Sequence, residues 1–254
     1  MKSFSMEATR SPDGEITLST GQTVNLPLQT EATMTGAVFS VSLDSVRSFL
    51  PSCLSPVRVG PQTATVMFLC TEYHSVNRST FEPYSEFGVL IPATRRSTVS
   101  VPFLSRFPGG FGGYVWYLPV TTEPSRALGD EVWGYPKVVC DIDITDIGSR
   151  RRTTVTIDGE HFITVEIERP PTVDLGVTVP TESYTERNGT VIREPLTFEG
   201  EMGLWLFSSR ASYSLGEHPR ADQLRQLDIG DRVLVRCYGT GTFVIHPGEP
   251  LTLC

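Results

Sequence analysis

The chain has 254 residues, a formal net charge of −8 and a 39% hydrophobic content. That composition fits a folded globular protein and excludes a disordered one. The acidic balance argues against a nucleic-acid partner, because phosphate binding needs a basic face, and the short run Arg150-Arg151-Arg152 sits beside acidic neighbours. No apolar stretch approaches the ~20 residues of a membrane helix, and MKSFSMEATRSPDGE has no apolar signal core. A cytoplasmic protein with no membrane partner is therefore expected. Of 21 basic residues only Lys2 and Lys137 are lysine. The usual reason for such a bias is genome composition. It nevertheless leaves a single ammonium in the body of the chain.

In chain order the signals are mostly strands. Residues 36–42 (GAVFSVS), 63–70 (TATVMFLC), 97–104 (STVSVPFL) and 114–120 (YVWYLPV) are short runs of β-branched and aromatic residues. Residues 138–146 (VVCDIDITD) alternate, with Cys140, Ile142 and Ile144 on one face and Asp141 and Asp143 on the other. The segment RTTVTIDGEHFITVEIER reads as a hairpin turned at Asp158-Gly159. Further strands are expected at 203–208 and 232–238, the last ending in a turn at Gly239-Thr240-Gly241. Helical spacing occurs at 42–51, ended by Pro51, and at 218–227, with Ala221, Leu224 and Leu227 on one face. No repeat or linker divides the chain. One mainly β domain over residues 1–254 is expected, closed as a barrel or sandwich, with residues 1–20 loosely ordered.

Five scattered cysteines without CxxC, and four histidines without ligand spacing, point to no metal and to reduced thiols. The glycine-rich PGGFGGY (108–114) lacks phosphate-loop spacing and reads as a flexible connection that could act as a lid.

The chemistry concentrates in residues 113–139, where Lys137 follows Trp133, Gly134, Tyr135 and Pro136 and precedes Val138 and Val139. Proline stiffens the backbone before the lysine. An ordinary lysine is a free amine in only about one molecule in 2,500 at pH 7. Apolar surroundings disfavour the ammonium and make the amine a nucleophile for Schiff-base chemistry. A lysine at a strand edge can equally send its head to solvent. In an unbroken strand Lys137 shares a face with Asp141 and Asp143, and that face is either solvent or a polar lumen.

The pattern Glu123-Pro124, Ala127, Gly129, Glu131 and Tyr135-Pro136-Lys137 resembles the active-site segment of the acetoacetate decarboxylase superfamily. The helix ending in LPSCL, the Tyr84-Ser85-Glu86 segment and HPRADQLRQL are similar to family features as well. The resemblance implies a cone-shaped antiparallel β-barrel with a few short helices and its active site inside, which favours the lumen. It implies that Lys137 condenses with a keto acid, with no cofactor beyond the covalent imine. It implies that Glu86 positions the imine or transfers protons, and that Glu131, Tyr135 and Pro136 support the lysine loop. Tyr114, Trp133 and Arg106 are expected to contact substrate, and a homo-oligomer is expected.

The chain also departs from the family pattern. Acetoacetate decarboxylase, a known case of a lysine activated by desolvation or a neighbouring cation, has a second lysine where this chain has Val138. The arginine of a Gly-Arg-Glu triplet is Asp130, and no arginine lies between Glu31 and Val41. Arg95, Arg96 and Arg106 remain candidates to meet a substrate carboxylate. The expected reaction is β-keto acid decarboxylation. The alternatives are aldolase or dehydratase chemistry on a larger keto acid, or a barrel that binds small hydrophobic ligands without catalysis.

Overall fold

A computed structural model describes residues 9–10, 15–76, 81–95, 113–207 and 209–251. The expected strand at 97–104, most of the glycine-rich connection, and Arg96 and Arg106 lie outside these residues.

The framework is a ring of strands. β1 (Leu28–Ser42) pairs antiparallel with β2 (Thr63–Val76), β2 with β3 (Tyr84–Ile91), and β3 with β4 (Gly113–Val120). On its other edge β4 carries the short parallel strand β5 (Lys137–Val139). The chain then leaves the ring for β6 (Asp141–Ile147), β7 (Arg150–Ile157) and β8 (Glu160–Glu168), a meander in a separate sheet. It returns as β9 (Val179–Arg187), parallel to the start of β4, and continues into β10 (Thr190–Leu206). After β11 (Ala211–Leu215) completes the separate sheet against β8, β12 (Val233–Ile245) joins β10 on one side and β1 on the other. The pairings β1-β2-β3-β4-β9-β10-β12-β1 therefore close on themselves, as the barrel reading requires.

Two cores explain why the central runs read as continuously apolar. In β1 and β2, Met34, Val38 and Met67 point into the ring, while Ala37, Phe39, Val66 and Phe68 point outward. The outward set meets Val155, Ile163 and Val165 of the separate sheet. A strand buried on both faces has no polar alternation to show.

The Asp158-Gly159 hairpin is present, with both residues at positive φ (52° and 81°), as a type I′ turn requires. The helix at 218–227 is present as Pro219–Arg225, and its three apolar positions are buried. The expected 42–51 helix is shorter, α1 (Leu43–Arg47), burying Leu43 and Val46.

Several expectations are corrected. Gly239-Thr240-Gly241 is not a turn, since β12 runs straight through it. A Cβ on Gly241 would sit 2.2 Å from the Glu199 carbonyl oxygen, so this glycine permits close strand approach rather than reversal. The 138–146 strand is broken at Cys140, whose N–H donates to the Val120 carbonyl (2.8 Å) before the chain crosses to the other sheet. Loose order through residue 20 fails from Glu15 onward, because Ile16 and Leu18 are buried. Cys53 is disulfide-bonded, whereas Cys70, Cys140 and Cys237 are free and buried. The longest helix among the described residues, α2 (Glu123–Trp133), is absent from the sequence-based expectation. No helix among the described residues is long and apolar enough to cross a membrane.

Candidate active site

Helix α2 is what delivers Lys137 to the interior. Thr122 caps it, its side chain accepting from the Ser125 N–H (3.3 Å), and Pro124 occupies its first turn. Gly134 ends it in the left-handed region (φ 74°), with its N–H donating to the Asp130 carbonyl and that of Tyr135 to the Gly129 carbonyl. The reversal turns the chain back along β4. Lys137 then lies opposite Leu118, one of the residues facing the interior, and Val138 falls on the other face, against the outer core. The break at Cys140 separates Lys137 from Asp141 and Asp143, which are exposed.

Glu86 arrives from the opposite edge of β4, opposite Val120. With strands about 4.8 Å apart, the β3 and β5 backbones are about 10 Å apart, a gap that a lysine and a glutamate arm together can span. Lys137 Nζ lies 2.7 Å from Glu86 Oε2, with the two side chains only 5% and 12% exposed. Nζ also donates to the Ser125 carbonyl (3.3 Å) and lies 5.8 Å and 6.0 Å from the ring centroids of Tyr84 and Tyr135. The Tyr73 hydroxyl donates to Glu86 Oε1 (3.4 Å). Burial pushes the phenols of Tyr73, Tyr84 and Tyr135 well above the usual range, so all three are neutral donors at pH 7. The lysine arm fits because α2 has a glycine beneath it. A Cβ on Gly129 would sit 2.3 Å from Lys137 Cε.

These groups line a cavity of about 110 Å³ whose walls are otherwise apolar, including Leu28, Leu69, Leu90, Leu196 and Phe243. Across it stands a second carboxyl that sequence reading missed, Glu194 on β10. It lies directly opposite Ser183 of β9, and the cavity faces both. Their neighbours Glu182 and Arg193 fall on the other face and pair there (2.6 Å). Tyr135 joins this group, bonded to Ser183 Oγ (2.6 Å) and neighbouring the Glu194 carboxyl. Burial raises the Glu194 pKa to about 8, against smaller opposing effects of the neighbouring Tyr135 hydroxyl and of Lys137. The missed signal is period-two: Ile192, Glu194, Leu196 and Phe198 share one strand face, and a carboxyl interrupts an apolar row.

This has a consequence for stability. The native state holds the Glu194 proton up to about pH 8 while an unfolded glutamate releases it near 4.5, so stability falls as pH rises between those values. The full loss is on the order of 5 kcal/mol. Glu194→Gln is expected to leave Tm little changed at pH 5 and to raise it above wild type at pH 8, measured by thermal melts at both values. A lower Tm for the variant at pH 8 would contradict this.

Other sequence-predicted residues divide clearly. Trp133 and Tyr135 line the cavity, and Trp133 Nε1 donates to the His246 carbonyl (3.0 Å). Tyr135 thus belongs to the site rather than to its support. The Pro136 carbonyl accepts from Leu118 N–H (3.2 Å) and locks the lysine strand to β4. Glu131 does not reach the lysine. Its carboxylate accepts from the Ser19 N–H (3.0 Å) and hydroxyl, tying the N-terminal strands to α2. Tyr114 is not in the cavity, since β4 turns it outward against Leu54, Ala93 and Tyr184. Arg95 is exposed beside Glu182 and Tyr184 on the outer face. Among the described lining residues Lys137 is the one cation.

Comparison with known proteins agrees with this architecture. The sequence model of the acetoacetate decarboxylase family matches residues 12–252. No curated protein sequence matches the chain. Among solved structures it is similar to an acetoacetate decarboxylase (16% identity, 96% of each chain covered, TM-score 0.64). It is similar to the acetoacetate decarboxylase of Legionella pneumophila subsp. pneumophila str. Philadelphia 1 (16%, 98% of this chain and 93% of that one, TM-score 0.64). It is also similar to the enduracididine biosynthesis enzyme MppR complexed with pyruvate (14%, 95% of each chain, TM-score 0.64). At these identities the structures speak to the fold alone, while the sequence match spans nearly the whole chain: the protein belongs to the acetoacetate decarboxylase family.

Proposed function

We propose that the protein is a lyase that forms a Schiff base between Lys137 and a keto acid. The observation that carries this reading is the Lys137–Glu86 pair, 2.7 Å apart and buried in a small, mostly apolar cavity. Glu86 takes a proton from the Lys137 ammonium, and the freed amine attacks the substrate carbonyl carbon. Glu86 then returns that proton to the resulting alkoxide and takes one from the attacking nitrogen, giving a neutral carbinolamine. Protonation of its hydroxyl and loss of water leave a protonated imine, which draws electrons from a bond β to nitrogen. If that bond holds a carboxylate, CO2 leaves and the enamine is protonated at carbon, with Glu86 placed to return the proton.

β-Keto acid decarboxylation is the first reading by family membership. Aldolase or dehydratase chemistry is the second, and two observations favour it. Lys137 is the one cation among the described lining residues, and two carboxyls, Glu86 and Glu194, face the same cavity. Decarboxylation needs one proton returned to carbon. Aldol condensation and dehydration need an acid and a base together. MppR, a structural neighbour, has been captured with pyruvate, and in another structure with the condensation product of pyruvate and imidazole 4-carboxaldehyde.

The readings separate in one pair of assays. CO2 release from acetoacetate, lost in Lys137→Ala, supports decarboxylation. Consumption of pyruvate with an aldehyde, without CO2 and again dependent on Lys137, supports the second. Activity in either assay that survives Lys137→Ala contradicts both.

A further inference from the structure

We infer that Glu194 is the general acid that expels water from the Lys137 carbinolamine, a role that rests on the imine reading above. Three observations carry it. Glu194 is 2% exposed and lines the same cavity as Lys137 and Glu86. Its Oε2 has no hydrogen-bond partner, which is unusual for a buried oxygen and leaves that atom available to something in the cavity. The Tyr135 hydroxyl neighbours the carboxyl and is itself fixed by Ser183 at 2.6 Å.

Oε2, buried and without a partner, is the carboxyl oxygen open to present the acid proton to a substrate hydroxyl in the cavity. Burial keeps the group protonated at pH 7, with a pKa of about 8. Glu86, 2.7 Å from Nζ, lies on the nitrogen side, where it exchanges the protons that leave Nζ. The two carboxyls therefore divide the work: one beside the lysine nitrogen, one across the cavity at the leaving hydroxyl.

The step balances. Oε2 gives its proton to the carbinolamine hydroxyl, and the C–O bond breaks with its electron pair leaving on water. The nitrogen lone pair forms the C=N bond. The products are a protonated imine on Lys137, one water and the Glu194 carboxylate. In the reverse direction, hydrolysis of the product imine, the same carboxylate takes the proton back from the attacking water.

The test uses the full chain with pyruvate and, separately, acetoacetate as probes. Cyanoborohydride reduces the imine, and the rate at which the Lys137 adduct accumulates is followed by mass spectrometry from pH 6 to pH 9. The wild-type rate is expected to fall above about pH 8 as the acid form is lost. Glu194→Gln, which keeps a hydrogen-bond donor but has no proton to give, is expected to form the adduct about 100-fold more slowly and without that fall. Glu194→Asp is expected to recover part of the rate. A Glu194→Gln rate equal to wild type overturns the inference while leaving the imine reading intact. So does a wild-type rate that stays level through pH 8, a result that needs no variant. Failure of wild type to form any Lys137 adduct with either probe overturns both.

Discussion

Replacing Lys137 with alanine is expected to lower turnover by roughly 10⁴- to 10⁶-fold, the scale seen when a covalent nucleophile is removed. Lys137→Arg is expected to be as inactive, because a guanidinium stays protonated and cannot condense with a carbonyl. The same position carries a separate stability effect. With its partner gone, Glu86 is left as a carboxylate 12% exposed in an apolar cavity. Breaking a buried pair in this way costs about 3–5 kcal/mol. Lys137→Met should therefore melt well below wild type, and Lys137→Met with Glu86→Gln should recover most of the loss while remaining inactive. Calorimetry and a steady-state assay on the same preparations separate the two effects. A double variant that regains activity would contradict the assignment, and one that stays as unstable as Lys137→Met would contradict the buried pair.

Gly129→Ala should show the opposite pattern, with activity lost and stability kept. Gly129 lies inside α2, where alanine is intrinsically better than glycine by up to about 1 kcal/mol. The added methyl, however, would sit 2.3 Å from Lys137 Cε, 2.5 Å from Cδ and 2.9 Å from Nζ. The lysine arm is a flexible chain and moves aside, taking Nζ off its 2.7 Å contact with Glu86. A displacement of about 1 Å at a reacting atom costs about 100-fold in rate. Turnover is expected to fall by that factor with Tm within a few degrees of wild type. Unchanged turnover would mean that the position of the lysine arm is not critical.

How far the sequence foretold this depends on the range of the interaction that decides each feature. The Asp158-Gly159 hairpin was readable because a type I′ turn is set by two adjacent residues. Lys137 and Glu86 were legible as candidates through the Tyr-Pro-Lys and Tyr-Ser-Glu segments, although their pairing across β4 was not, since it depends on strand order. Helix α2 was overlooked despite its Thr122 cap, Pro124 and terminal Gly134, because its apolar residues are few and its buried face includes Ser125 and Gly129. The break at Cys140 has no local signal. It is imposed by Val120, which accepts the Cys140 N–H and ends the short strand. Glu194 was hidden for a related reason: a carboxyl on a strand reads as exposed unless the strand is known to close a ring. Tyr114 misled because its chemistry suits a cavity while its parity on β4 directs it outward.

Lys137 is the residue on which the whole account turns, and the scarcity of lysine makes it easy to interrogate. With only Lys2 and Lys137 in the chain, incubation with pyruvate or acetoacetate, reduction by borohydride and peptide mapping gives an unambiguous result. The account predicts a reduced adduct on the peptide containing Lys137, none on Lys2, and none in Lys137→Ala. Absence of an adduct on Lys137 with both compounds, from protein shown to be folded, would contradict it.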